Sequence, residues 1–342
     1  MTEKDFWRNS KVAVIGGGSW GIVLAQLAAE NCQEVRLWMR DELQARAINS
    51  TRVSPKYLPG TVISPKVRAM VEPERVMAVG EGGVSTVIWA LPSSVARDQA
   101  RVFAPHFSGS EVVIHATKGI EAGSLKRISE VLSEELPLER IGVVSGPNLA
   151  LEVARGEPAA TVVASTFDEV IEAGQQILST PKFRVYSATD MIGVEWAGTL
   201  KNILAIAAGA LDALGMGWNA RAMLITRGLA EMVRFGVAMG AENQTFLGLA
   251  GMGDLMATCG SPLSRNYRVG AALAKGEPIE KILSELGATA EGVRTARTVR
   301  EFAVERGISM PICEGVFDLV TGRSNVKKAL ESLMARPQVA EF

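Results

Sequence analysis

The chain has 342 residues, 47% of them hydrophobic and 21% charged, a balance that excludes a disordered chain and leaves length for two domains, each with its own core. Its 36 basic and 37 acidic side chains give a formal net charge of −1, so no global field draws nucleic acid or an anionic membrane, and any anionic ligand has to be held locally. Three cysteines, Cys32, Cys259 and Cys313, are odd in number, far apart and without metal-ligand spacing, which argues against a disulfide framework or a metal site and fits a reducing compartment.

In chain order, the opening MTEKDFWRNSK mixes charges of both signs without an apolar core and does not read as a secretory signal. Six apolar runs of the length of buried strands follow, at 11–17 (KVAVIGG), 34–40 (EVRLWMR), 86–92 (TVIWALP), 111–117 (EVVIHAT), 141–147 (IGVVSGP) and 160–165 (ATVVAS). Helix-like segments at 22–31 and 125–135 lie among them, and this alternation predicts a doubly wound, mainly parallel sheet with helices on both faces. After about Asp190 the strand-like runs almost vanish. Helical periodicity takes over at 195–213, 219–239, 243–249, 264–275, 278–285, 289–306 and 311–321, with glycines near several ends. The expected organisation is therefore an α/β domain over 1–190 and an all-α domain over 191–342, with a cleft between them as the active site. The apolar stretch between Lys201 and Asp212 is too short for a bilayer span, which needs ~20 residues, so a soluble, cytoplasmic protein without membrane insertion is expected.

The first strand runs directly into Gly16, Gly18 and Gly21, in G-x-G-x-x-G spacing at the opening of a helix. In that context Gly16 permits a tight turn, Gly18 a close approach of backbone to pyrophosphate, and Gly21 the packing of helix on strand, with the first helical amides facing the phosphates. The first domain thus reads as a Rossmann-like dinucleotide-binding domain. The second strand ends in Arg40 followed by Asp41. An arginine there pairs with the 2′-phosphate of NADP, whereas an acid grips the ribose of NAD; the order favours NADPH and leaves NADH open. A surface arginine in a charged loop is the plainer alternative.

Reduction of a carbonyl needs a proton donor, and histidine is the usual one. Only His106 and His115 exist, neither beside the motifs of the second domain, so attention passes to lysine, whose ammonium serves when burial and a neighbouring cation tune it. Lys118 and Lys201 are the candidates. On a helix, Leu200, Ile203, Leu204, Ala207, Leu211 and Leu214 form an apolar stripe, and Lys201, Ala205, Ala208 and Asp212 follow the line beside it. Small alanines there admit a neighbouring element, so Lys201 is expected to point into a cleft rather than to snorkel to bulk water. Ser264, Arg265 and Asn266 stand at a helix start, where a hydroxyl, a guanidinium, an amide and free N–H groups converge on a phosphate; Ser264 also suits an N-cap. Asp254, in GMGD, either binds a substrate hydroxyl, orients Lys201 or simply makes a turn.

Five stretches, VIGGGSWG, HATKGIE, SGPNLALEVARG, GTLKNILAIAAGALDALG and GLAGMGDLMATCGSPLSRNYRVG, with EGVRTA later, resemble in order and spacing the bacterial type of NAD(P)-dependent glycerol-3-phosphate dehydrogenase over nearly the whole chain. The resemblance implies reversible hydride transfer between NAD(P)H and C2 of dihydroxyacetone phosphate, giving sn-glycerol 3-phosphate for phospholipid synthesis, in a homodimer with no metal. It implies that Ser19, Trp20, Arg40, Lys118, Ala150, Arg265, Thr289 and Glu291 touch the cofactor. Around substrate it places Lys118, Gly146, Asn148, Lys201, Asp254, Ser264, Arg265 and Asn266, with Lys201 as the proton-transferring group. Asn148 stands where the family usually has serine or threonine, and Thr289 where it has an aliphatic residue; Trp196 is expected to pack rather than stack on cofactor. Two rival readings are a related two-domain reductase of a hydroxy acid, which needs a carboxylate clamp, and a nucleotide-sensing module, which has no use for Lys118, Lys201 and Arg265 together.

Overall fold

The computed structural model describes residues 3–78, 83–286, 290–338 and 340. Its contacts divide the chain into two units, Met1–Glu195 and Trp196–Phe342. Among its described residues the first contains eight strands: β1 (Lys11–Ile15), β2 (Glu34–Trp38), β3 (Val67–Met70), β4 (Val84–Trp89), β5 (Val112–His115), β6 (Ile141–Ser145), β7 (Ala159–Ala164) and β8 (Phe183–Ala188). They form one sheet in the order β3-β2-β1-β4-β5-β6-β7-β8. Every neighbouring pair is parallel except β6 and β7, which run antiparallel with Val144 opposite Val163. The sheet thus has the doubly wound order whose switch point, between β1 and β4, opens beyond the carboxyl ends of those strands.

The helices of this unit are α1 (Glu3–Arg8), α2 (Ser19–Asn31), α3 (Glu42–Thr51), α4 (Pro73–Met77), α5 (Ala96–Phe103), α6 (Ile128–Glu135), α7 (Ala150–Ala154) and α8 (Asp168–Leu178). Alternate residues of β1 enter opposite cores, as the two-residue period of a strand demands. Val12 and Val14 join Ile22 and Leu24 of α2 and Val170 and Ile177 of α8. Ala13 and Ile15 join Ala100 and Phe103 of α5 and Val131 and Leu132 of α6. Both faces of the central strands are therefore covered, which is why they read as continuous apolar runs.

Helix α9 (Met191–Ala213) starts in the first unit and continues into the second, where α10 (Trp218–Ala238), α11 (Asp254–Gly260), α12 (Arg265–Ala274), α13 (Ile279–Leu286), α14 (Glu291–Glu305), α15 (Pro311–Val320) and α16 (Val326–Met334) follow. A short 3-10 helix at Asn243–Leu247 and a π turn at Leu249–Gly253 precede α11. Helices α9 and α12 cross at van der Waals distance: a Cβ on Gly209 would lie 1.9 Å from the Tyr267 carbonyl oxygen, and one on Gly270 1.8 Å from that of Ile206. Trp196 packs edge-on against Phe235 at 5.0 Å, the packing role expected of it. All three cysteines are free and buried. Among the described residues no helix is long and apolar enough to cross a membrane.

Candidate active site

The three motif glycines do three different things. Gly16, immediately after β1, has φ +131°, and a Cβ there would lie 2.4 Å from the Ala90 carbonyl oxygen at the end of β4. Gly21, in the first turn of α2, sits on the Gly16 carbonyl oxygen, 1.7 Å from where its Cβ would be. Gly18 is the N-cap of α2, and a Cβ on it meets no protein atom within 4 Å. Two glycines are thus required by the fold, while the third keeps a clear approach to the head of α2. No side chain caps that helix, so its first amides point outward where the positive end of the dipole favours an anion. The Ser19 hydroxyl donates to the Tyr57 carbonyl at 2.7 Å, and Trp20 packs toward Phe183 at 6.4 Å.

Arg40 is exposed just beyond β2. Asp41 is the N-cap of α3, its carboxylate accepting from the Gln44 amide at 3.2 Å. The acid is engaged in ending a loop, and the cation beside it faces solvent. In the loop after β5, Lys118 Nζ donates to the Gly146 carbonyl at 3.3 Å. Gly146 follows β6 where β7 comes close: a Cβ on it would lie 2.9 Å from Thr161 Cα. Asn148 donates to the Ala160 carbonyl at 2.9 Å, so its amide ties the same loop to β7, and Ala150 opens α7.

In the second unit Lys201 is only 4% exposed. Its ammonium pairs with the carboxylate of Asp254 and donates to Thr258 Oγ1 at 2.7 Å. Thr258 in turn donates to Asp254 at 3.2 Å. Asp254 and Thr258 are four residues apart on α11 and so share one face. The glycines upstream set that helix: a Cβ on Gly251 would lie 2.1 Å from the Phe246 carbonyl oxygen, and the π turn delivers Asp254 as the first residue of α11. Burial pushes the thiol of Cys259, next along α11, up to about 12, with the Lys201 charge opposing weakly, so this cysteine is no nucleophile.

The amide of Asn202 accepts from Asn266 Nδ2 at 2.9 Å, and Asn266 Oδ1 accepts from the Gly292 amide at 3.0 Å. Asn266 is therefore built into the junction of α9, α12 and α14, beside Glu291 at the start of α14. Ser264 is the N-cap of α12, its hydroxyl accepting from Tyr267 N at 3.3 Å. Arg265 is the first residue of α12 and exposed, and its guanidinium has no polar partner among the described residues. Of the three groups expected to converge on a phosphate, the arginine is turned outward while the serine and asparagine also hold the scaffold. Thr289 lies outside the described residues.

Family profiles cover both units: that for the NAD-dependent glycerol-3-phosphate dehydrogenase N-terminus matches residues 11–171, and that for its C-terminus residues 190–331. The chain belongs to this family. A glycerol-3-phosphate dehydrogenase (NAD(P)+) of Pseudomonas paraeruginosa is 47% identical over 336 residues, spanning 98% of this chain and 95% of that one. The crystal structure of the Coxiella burnetii glycerol-3-phosphate dehydrogenase, 34% identical, superimposes with a TM-score of 0.89 over 96% of this chain and 99% of that one. A ketopantoate reductase of Ralstonia eutropha, 17% identical with a TM-score of 0.58 over 94% and 99% of the two chains, shares the fold alone.

A nicotinamide dinucleotide is the family's cofactor, and the open face at Gly18 with the uncapped head of α2 fits its pyrophosphate. No cluster of three or more metal-ligating side chains occurs among the described residues. Thr258 escaped the sequence reading, although the D-x-x-x-T spacing behind Asp254 was a usable signal. Glu195 escaped it too. Its buried carboxylate, near the start of α9, accepts from Ser129 N at 3.0 Å, Ser129 Oγ at 2.6 Å and Arg127 at 2.6 Å. His115 Nε2 lies 3.1 Å away, without the alignment of a hydrogen bond. Burial pushes Glu195 upward, but His115, Arg127 and Ser129 together outweigh it and hold the carboxylate at about 2. His115 is thus part of the scaffold that fastens α9.

Proposed function

We propose that the chain catalyses the NAD(P)H-dependent, reversible reduction of dihydroxyacetone phosphate to sn-glycerol 3-phosphate, with Lys201 as the proton donor. The observation that carries this reading is the buried Lys201–Asp254–Thr258 cluster in a chain of this family. The ammonium of this nearly closed-off lysine faces a carboxylate, and an ammonium is the form that a ketone reduction consumes. When bound, the reduced nicotinamide supplies the hydride to C2. Lys201 delivers H⁺ from Nζ to the C2 oxygen, so that no free alkoxide accumulates, and the neutral amine recovers a proton before the next cycle. Asp254 and Thr258 hold the amine in place through the transfer. Arg265, with the amides at the head of α12, holds the substrate phosphate. Gly16, Gly18, Ser19, Trp20 and Gly21 receive the pyrophosphate half of the dinucleotide; Lys118, Gly146, Asn148, Ala150 and Glu291 border the reacting end.

Exposed Arg40, with Asp41 engaged as a cap, supports a preference for NADPH through its 2′-phosphate. The reading extends to a homodimer in the cytoplasm that supplies the glycerol backbone of phospholipids. Light scattering at twice 36.4 kDa tests the dimer. The activity is tested by comparing NADPH oxidation with dihydroxyacetone phosphate, unphosphorylated dihydroxyacetone and 2-keto acids. Turnover of the phosphorylated ketone is expected to exceed the others by orders of magnitude; a better 2-keto acid substrate would replace this reading with that of a hydroxy-acid reductase.

A further inference from the structure

We infer that Arg97 is a positioning residue for Lys118, acting through a latch on Glu121 that fixes the loop between β5 and α6. The inference rests on the place at the reacting end that the proposed function gives to Lys118. That lysine stands in a short bracket whose two ends are pinned to the segment following β4. On one side the Thr117 hydroxyl donates to the Leu91 carbonyl at 2.7 Å. On the other, the carboxylate of Glu121 accepts from Arg97 Nε at 2.7 Å and from Nη2 at 2.9 Å, one bond to each oxygen. A guanidinium fork of this kind fixes direction as well as distance. Both side chains are only 20% exposed, so solvent ions screen the pair weakly.

The loop beyond Lys118 has a shape that needs holding. It reverses on itself: the Glu121 amide donates to the Lys126 carbonyl at 2.9 Å, and the Leu125 amide returns to the Glu121 carbonyl at 3.2 Å. The reversal puts Leu125 at φ +62°, in the left-handed region that a leucine enters only against steric resistance. Such a conformation persists where its surroundings over-determine it. Here the Glu121 carboxylate supplies that restraint, accepting from the Ser124 hydroxyl inside the turn as well as from the Arg97 fork outside it. The fork, against the opposing effect of burial, holds the Glu121 carboxyl at about 2, so the latch is ionised across any ordinary assay range.

Arg97 is itself braced. It projects from α5, and the end of α6 meets it, with Glu134 accepting from Nη2 at 2.8 Å and Glu135 accepting from Nη1. Arg101, one turn further along α5, donates to Glu135 at 3.0 Å and ties the two helices together beside it. The guanidinium is thus anchored to α6 on one side and grips the loop on the other. These two duties are separable, because the Glu134 and Glu135 contacts join helix to helix and only the Glu121 contacts reach the loop that carries Lys118.

The test is a double-variant cycle on kcat/KM for dihydroxyacetone phosphate in the full chain. Glu121→Gln keeps the shape of the side chain and breaks the fork, and it should lower kcat/KM about tenfold, because a small misplacement of a positioned group slows the reaction steeply. In a Lys118→Ala background the same change should lower it by less than about twofold, since no amine is left to place. Glu135→Gln loosens only the α6 side and should lower the melting temperature while kcat/KM stays within about twofold of the parent. An equal loss in the two backgrounds, or an unchanged kcat/KM in Glu121→Gln, would overturn the inference. Hydrogen exchange supplies a readout apart from activity: Arg97→Ala should speed exchange of the Glu121 and Leu125 amides about tenfold or more and leave β4 and β5 as they were. Unchanged protection of those two amides would also overturn it. A parent chain that failed to turn over dihydroxyacetone phosphate would refute the proposed function instead, and the exchange rates would still decide whether Arg97 fixes this loop.

Discussion

Replacing Lys201 with methionine keeps the aliphatic stem and deletes the ammonium, and two separable losses follow. Removal of a positioned general acid costs about 10²–10⁴ in turnover. That is roughly 3–5 kcal/mol of transition-state stabilisation, and since the proton moves only in the chemical step, kcat and kcat/KM should fall together. The second loss is in the fold. Asp254 is 2% exposed, and the variant takes the ammonium away from this buried carboxylate while Thr258 still donates to it. Breaking a buried ion pair by removing one partner destabilises by about 3–5 kcal/mol. Adding Asp254→Asn to the same chain removes the stranded charge, so the double variant should regain most of the stability and none of the turnover. Stopped-flow NADPH oxidation measures the first quantity, and urea unfolding of the single and double variants measures the second. A Lys201→Met enzyme with turnover within a small factor of the parent would remove Lys201 from the proton-donor role. A double variant no more stable than Lys201→Met would show that the ion pair is not what holds this corner together.

Gly18→Val should leave the melting temperature almost unchanged, because no protein atom meets its Cβ, yet raise the KM for NADPH about tenfold or more; Gly21→Val should instead unfold the domain at ordinary temperature, since its Cβ falls 1.7 Å from a carbonyl oxygen. Arg40→Ala is expected to weaken NADPH by about tenfold and leave NADH unaffected, as steady-state kinetics with the two cofactors will show. Burial raises Glu231 to about 7, against the opposing Ile312 and Cys313 amides. The folded chain therefore keeps this proton while the unfolded chain releases it, so the parent should lose about 3 kcal/mol of stability as pH rises from about 4.5 to 7. Glu231→Gln should flatten that slope in unfolding experiments across the range; an unchanged slope would mean that another group titrates.

The six strands read as apolar runs are β1, β2, β4, β5, β6 and β7, buried inside the sheet, while the two that gave no signal, β3 and β8, are its edges. Along β8, Phe183 and Val185 are buried while Arg184 and Tyr186 are exposed, so the run is broken by polar positions that an edge tolerates. Helix α9 begins at Met191, in the first unit and four residues before the expected start, because Asp190 Oδ1 accepts from the Gly193 amide at 2.8 Å and so caps a turn ahead of the apolar stripe. Helix α16, whose Val326 packs with Ala210 and Leu319, had no expected counterpart. The turn at Gly16, the close packing at Gly21 and the Ser264 cap follow from local backbone rules and were legible in advance. The engagement of Asn202 with Asn266, and of Thr258 with Lys201, joins residues more than fifty positions apart, which no local pattern encodes.

The π turn at Leu249–Gly253 holds one residue more per turn than the helix it feeds. Shortening this segment by a single position without tightening its winding would swing everything beyond it by about 100° about the axis, carrying the carboxylate of Asp254 away from its amine. Length variation, absorbed harmlessly in most connections, would here act as a rotary displacement on the buried Lys201–Asp254 pair, so the spacing between Phe246 and Asp254 matters to that pair as much as the identity of any side chain between them.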